Sequence, residues 1–162
     1  MILTEFYKAQ AKLDEVIEKS HPPKKNENRL NKKLIAFLVE LSEMLNEKRS
    51  IFKFWSNKKD DNKKALVEYV DGFHFLLSIG LEVGYTSLEI ESYVLDYHDI
   101  QVQVLETYRA ASSIMEFDNY NYERAFELYL GLGEMLGFTE NQIKEAYYAK
   151  NEINHVRQAE GY

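Results

Sequence analysis

The chain has 162 residues, 45% of them hydrophobic, a formal net charge of −7 and no cysteine. Its length and apolar content fit one domain over residues 1–162 with a core of its own. The acidic balance argues against non-specific nucleic-acid binding, the lack of cysteine excludes disulfides and Cys-ligated zinc, and no apolar run is long enough for a membrane span.

With no signal-peptide pattern at the start, a cytoplasmic protein is expected. The only prolines are the adjacent Pro22 and Pro23, and glycines are few. Alternating strand patterns are absent, so the composition predicts an all-α fold of about six helices. A first helix is expected over 4–19, with an apolar stripe through Phe6, Leu13, Val16 and Ile17. Gln10 falls on that stripe, with Asp14 one turn later. A buried amide needs hydrogen-bond partners, from the protein or from the edge of a ligand. His21-Pro22-Pro23 ends the helix, because a residue before proline is pushed out of the α region.

A second helix, about 30–48, buries Leu34, Phe37, Leu38, Leu41 and Leu45. Beside that face runs an acidic stripe of Glu40, Glu43 and Glu47, in which Glu40 borders Phe37 and Met44 and should be partly buried. The loop 50–62 holds Trp55, the single tryptophan. Its ring either pins the loop to the bundle or offers a flat face or indole N–H to a base. Lys53, Lys58 and Lys59 are solvated or steer an anion.

A third helix, about 63–83, buries Leu66, Val70, Phe73, Leu76 and Leu77, with Glu68 and Asp71 on an adjacent face. Gly72 sits in mid-helix, where glycine costs about 1 kcal/mol relative to alanine; a close helix or a ligand would explain it. His74, one turn past Asp71, suits a core position or a ligand contact. Thr86-Ser87-Leu88-Glu89 reads as a capping box opening a fourth helix that runs through Ala111. Asp118-Asn119 caps a fifth, about 120–136, closed by Gly137. Thr139 and Gln142 cap a sixth, ending near Arg157. The fourth helix, rich in Tyr, Val, Leu and Ile, reads as packing or subunit contact.

Two constellations carry chemistry. Glu40-x-x-Glu43 and Glu68-x-x-Asp71 each place two carboxylates on one helix face. Two such helices packed together would crowd four acids, an arrangement that a cation must relieve. Clustered carboxylates suit Mg²⁺ that also holds substrate phosphates, so the pairs point to a Mg²⁺-dependent enzyme acting on a nucleoside triphosphate; a solvated acidic face is the plainer alternative. On the last helix Lys150, Asn154 and Arg157 share a face, as phosphate ligands or as a basic helix end suited to the macrodipole.

Phe52-Lys-Phe-Trp-Ser56, followed by Glu68-Tyr-Val-Asp-Gly-Phe-His-Phe-Leu-Leu-Ser-Ile-Gly80, resembles the dimeric all-α dUTPase family, relatives of the MazG-like pyrophosphohydrolases. Glu40-Leu-Ser-Glu43, Gln10-Ala-Lys-Leu-Asp14 and the tail from Tyr148 to Gln158 fit the same pattern, in order, over nearly the whole chain. The resemblance implies a helical bundle with a four-helix catalytic core. Glu40, Glu43, Glu68 and Asp71 would ligate Mg²⁺, and Glu40 or Glu43 would handle the attacking water. Lys150, Asn154 and Arg157 would contact phosphates and sugar. Gln10 and Trp55, with Asp14 and His74, would recognise uracil. It further implies a homodimer that hydrolyses dUTP to dUMP and pyrophosphate, with dUDP a further possible substrate.

Three alternatives stand beside this reading. A relative preferring dCTP or a modified nucleotide would share the metal site. A non-catalytic helical interaction protein would need no metal. A di-iron carboxylate bundle needs Glu-x-x-His motifs; Glu18-x-x-His21 and Glu152-x-x-His155 match by letter, but His21 precedes proline and should lie outside its helix.

Overall fold

Every α-helix but the first begins where a side chain receives an orphan backbone N–H group. The computed structural model describes residues 1–95, 98–115 and 118–161. Among these, six α-helices follow in order: α1 Thr4–Ser20, α2 Arg29–Glu47, α3 Asn62–Glu82, α4 Ile100–Ser112, α5 Asn119–Met135 and α6 Glu140–Ala159. Asn28, Asp61, Asp99, Asp118 and Thr139 each accept a backbone N–H at the start of a helix. Thr139 and Gln142 form the reciprocal capping box expected from the sequence. Gly137, at φ 80°, follows α5 in the left-handed conformation that suits glycine.

Packing follows the apolar stripes. α2 lies along α3; α1 and α6 pack on α3 and on each other; α4 and α5 pair and reach the bundle through α2 and α3. All six helices contribute to one buried cluster, including Phe6, Leu34, Phe37, Phe73, Val104, Phe126 and Tyr147. Tyr69 of α3 and Tyr129 of α5 stack at 4.4 Å between ring centroids. Each hydroxyl donates to the other's backbone carbonyl, at 3.1 Å from Tyr69 and 2.7 Å from Tyr129. The exchange needs room: a Cβ on Gly72 would strike the Tyr129 hydroxyl, and one on Gly133 the Tyr69 hydroxyl. A close helix therefore accounts for the mid-helix Gly72. Most tyrosines of the fifth helix serve the chain's own core, Tyr122 and Tyr129 being fully buried.

The expected fourth helix needs correction. It begins at Ile100, not after Thr86, and Asp99 is its N-cap, accepting from Gln101 and Val102. The segment after α3 instead pairs its backbone with the N-terminal residues: Leu3 N donates to Leu88 O at 2.8 Å and Ile90 N to Met1 O at 3.0 Å. Ile2 and Glu89 form an isolated antiparallel bridge. Long-range backbone bonds and the burial of Ile90 thus override a local capping signal. The buried Gln103 secures the stretch, donating to Tyr93 O and Leu128 O and accepting from Leu95 N. Asp96 and Tyr97, inside the expected helix, lie outside the described residues.

A pair of substitutions separates the two boundaries. Asp99→Ala removes a working cap and is expected to cost about 1 kcal/mol in chemical denaturation, whereas Thr86→Ala should stay within about 0.5 kcal/mol of the parent. Equal losses would restore the Thr86 helix start.

Candidate active site

A cavity of about 490 Å³ opens among α1, α2, α3 and α6. Its lining draws Gln10 and Asp14 from α1, Lys33 and Glu40 from α2, Asp71, His74, Phe75 and Ser78 from α3, and Lys150, Asn154 and Arg157 from α6. These are the polar margins of helices whose apolar stripes meet in the core, so packing itself brings the margins together.

The lengthwise packing of α2 on α3 sets Glu40 beside Glu68 and Asp71. One carboxylate oxygen from each lies within 4.8 Å of the others, and all three residues are partly buried. Burial pushes the Glu40 carboxyl up to about 7, and the negative charges of Asp71, Glu43 and Glu68 push the same way, against the Lys150 ammonium. Glu68 is raised too, by burial first and then by Asp71 and Glu43. Lys150 reaches from α6 to place Nζ 2.5 Å from Asp71 Oδ2. Glu43 is solvent-exposed and outside the group of three; it acts on Glu40 and Glu68 through its charge. The donor set is oxygen only, anionic and crowded, which fits a hard divalent cation.

The second polar group is a chain of hydrogen bonds. Gln10 Nε2 donates to Asp14 Oδ1 at 2.8 Å, and Gln10 Oε1 faces His74 Nδ1 at 2.8 Å. Tyr147 OH donates to the same Gln10 oxygen at 3.2 Å. Asp14 accepts further from Ser78 Oγ at 2.5 Å and faces Lys33 Nζ at 3.5 Å. An ionised Asp14 can only accept, so the amide nitrogen of Gln10 must face it and the amide oxygen must face His74. His74 stacks on Tyr147 at 4.1 Å. Burial pushes its imidazole down to about 4, with the Tyr147 backbone opposing and Lys150 assisting, so the ring is neutral at pH 7.

The structure thus gathers Gln10, Asp14, His74, Glu40, Asp71, Lys150, Asn154 and Arg157 into one cavity, while Glu43, Glu68 and Trp55 are not among its lining. Glu68 still joins the acid cluster. Gln10 is satisfied largely from within the protein, and Asp14 is occupied by its neighbours. Trp55 is 67% exposed on the α2–α3 loop, beside Phe54 at 94%, with ring centroids 4.9 Å apart. His21 is the C-cap of α1 and outside the helix. The cluster of Glu40, Glu68 and Asp71 contains no histidine, unlike the Glu-x-x-His ligand set of a di-iron bundle.

Sequence reasoning passed over Ser78 and Lys33. A signal existed for both: Ser78 continues the Asp71 and His74 face by another turn, and Lys33 lies two turns before Glu40.

The model of a family described as dUTPase matches residues 2–162. No curated protein matches the chain.

Proposed function

Because this chain belongs to the dUTPase family and is a dUTP diphosphatase, we propose that its triphosphate site lies where the acid cluster meets Lys150, Asn154 and Arg157. The observation that carries this reading is the convergence of Glu40, Glu68 and Asp71, one carboxylate oxygen from each within 4.8 Å of the others, at a cavity that Lys150 and Arg157 also line. Glu40, Glu68 and Asp71 would hold Mg²⁺, with Glu43 completing the set at its exposed rim. A divalent ion there supplies charge neutralisation for the phosphoryl group and acidification of the attacking water. Glu40 or Glu43 would take that water's proton, as a carboxylate held beside the ion can. Lys150 and Arg157 bind phosphate oxygens, Arg157 as a fork and Lys150 as a point charge. Asn154, one turn from Lys150, serves the sugar or a phosphate. Uracil lies toward Gln10 and His74, and Asp14 holds Gln10 in orientation. The products are dUMP and pyrophosphate.

Trp55 does not line its own chain's cavity. Together with the exposed Phe52 and Phe54 it forms an aromatic surface of the kind that marks an interaction site. A homodimer in which Trp55 approaches the base in the neighbouring copy's cavity reconciles that exposure with a base-binding role.

The test is pyrophosphate release from dUTP, dCTP, dTTP, dATP, dGTP and UTP, with Mg²⁺ and with EDTA. Turnover of dUTP far above the rest, lost in EDTA, is expected. Preference for another base would keep the metal chemistry and remove the uracil reading of Gln10, His74 and Trp55. Undiminished turnover in EDTA would remove the metal assignment.

A further inference from the structure

The acid cluster has a positive charge of its own. Lys150 Nζ stands 2.5 Å from Asp71 Oδ2, the pair is mostly shielded from solvent, and the ammonium lowers both Glu40 and Glu68. A divalent ion on Glu40, Glu68 and Asp71 would draw on the same Asp71 carboxylate. Even on the other Asp71 oxygen, the ion and the ammonium would be a few ångströms apart, where like charges repel strongly at the dielectric of a protein surface. A lysine is suited to yield, being a flexible stem with a compact charge. A triphosphate offers that charge a new partner in the same cavity.

We propose that Lys150 couples metal binding to substrate binding: it is the internal counter-ion of Asp71 in the nucleotide-free protein, and the triphosphate draws it away. The inference rests on the acid cluster being the metal site, and it adds that metal and nucleotide each tighten the other. Reciprocity is required thermodynamically, since a coupling free energy between two sites acts equally in both directions.

The experiment measures Mn²⁺ binding to the intact protein by calorimetry, alone and with α,β-imido-dUTP, for the parent, Lys150→Met, Lys150→Arg and Lys33→Met. Lys33 lines the same cavity but pairs with Asp14 and Glu82, so its loss controls for simple removal of a charge. Without nucleotide, Lys150→Met is expected to bind Mn²⁺ about tenfold more tightly, about 1.4 kcal/mol, and Lys33→Met to change little. The tightening induced by the analogue should shrink in Lys150→Met and persist in Lys150→Arg, which keeps the charge if the methionine variant folds poorly. Unchanged or weaker Mn²⁺ binding in Lys150→Met, or equal tightening in Lys33→Met, overturns the coupling while leaving the metal site intact. No Mn²⁺ binding by the parent removes the metal site and the coupling with it.

Discussion

Replacing Glu40 by Gln is expected to cut dUTP turnover by at least about 10³-fold while raising the melting temperature of the metal-free protein. The loss of rate combines removal of a metal ligand with removal of a candidate base, a group that typically contributes about 10²–10⁴-fold by itself. The gain in stability follows from proton linkage. Glu40 has a folded-state pKa of about 7 against 4.5 for the free side chain. Between those values the folded protein holds a proton that the unfolded chain has released. Stability therefore falls as pH rises from about 4.5 through about 7, and the full penalty is present above that. A displacement of this size corresponds to about 3 kcal/mol at 1.36 kcal/mol per pKa unit. Solvent screening of a half-exposed carboxylate cuts it to about 1–2 kcal/mol. Glutamine keeps the shape without the charge, so at pH 8 in EDTA the variant should melt about 3–6 °C higher, and the difference should vanish near pH 4. Mg²⁺ should stabilise the parent more than the variant, because an ion that binds only the folded state adds its binding free energy. A variant that keeps a tenth of the parental rate, or melts lower in EDTA at pH 8, would show that Glu40 is not the strained centre of the site.

Gly72→Ala sets two principles against each other. Helix propensity favours alanine at an interior helical position by about 1 kcal/mol. The structure places the Tyr129 hydroxyl where the new Cβ would stand, within the reciprocal hydrogen bonds that join α3 to α5. Both rings are fully buried and stacked, so the hydroxyl cannot retreat without losing its bond to Tyr69 O. Overpacking a core costs about 1–3 kcal/mol, and an unsatisfied buried hydroxyl about 1–3 kcal/mol more. A net destabilisation of about 2–4 kcal/mol is expected, read as a melting temperature about 5–15 °C lower. Removing the obstructing hydroxyl gives a control: in Gly72→Ala with Tyr129→Phe, the alanine should cost much less than it does alone, an interaction visible in a double-mutant cycle. A stabilising or neutral Gly72→Ala would mean that the two helices are farther apart at this crossing. Because Gly72 adjoins Asp71, the single variant should also weaken Mg²⁺-supported turnover.

Local signals carried much of the fold. The apolar stripes of α2 and α3 have the helical period and pack into the core, as do Phe6 and Leu13 of α1, while Val16 and Ile17 stay partly exposed; the caps at Asp118 and Thr139 act as their sequence suggests. Gly72 announced a close approach without saying of what. Thr86 misled because a capping box is a neighbour effect worth about 1 kcal/mol, whereas residues 86–93 answer to backbone partners in the N-terminal segment and α5, more than thirty positions distant.

The site divides along the same line. Residue type and spacing by themselves determined an all-helical chain with paired acids on two helices, an amide on a buried stripe and a basic face on the last helix, since these depend only on which side chains share a face of one helix. Tertiary structure alone decided that Glu40, Glu68 and Asp71 converge while Glu43 stands outside them, that Asp14 is bound to Gln10, Ser78 and Lys33, that Lys150 reaches Asp71, and that Trp55 is exposed and not part of the cavity lining. Each of those facts depends on how two helices are placed against one another, and no periodicity within a single helix encodes the crossing that brings α2 and α6 to α3.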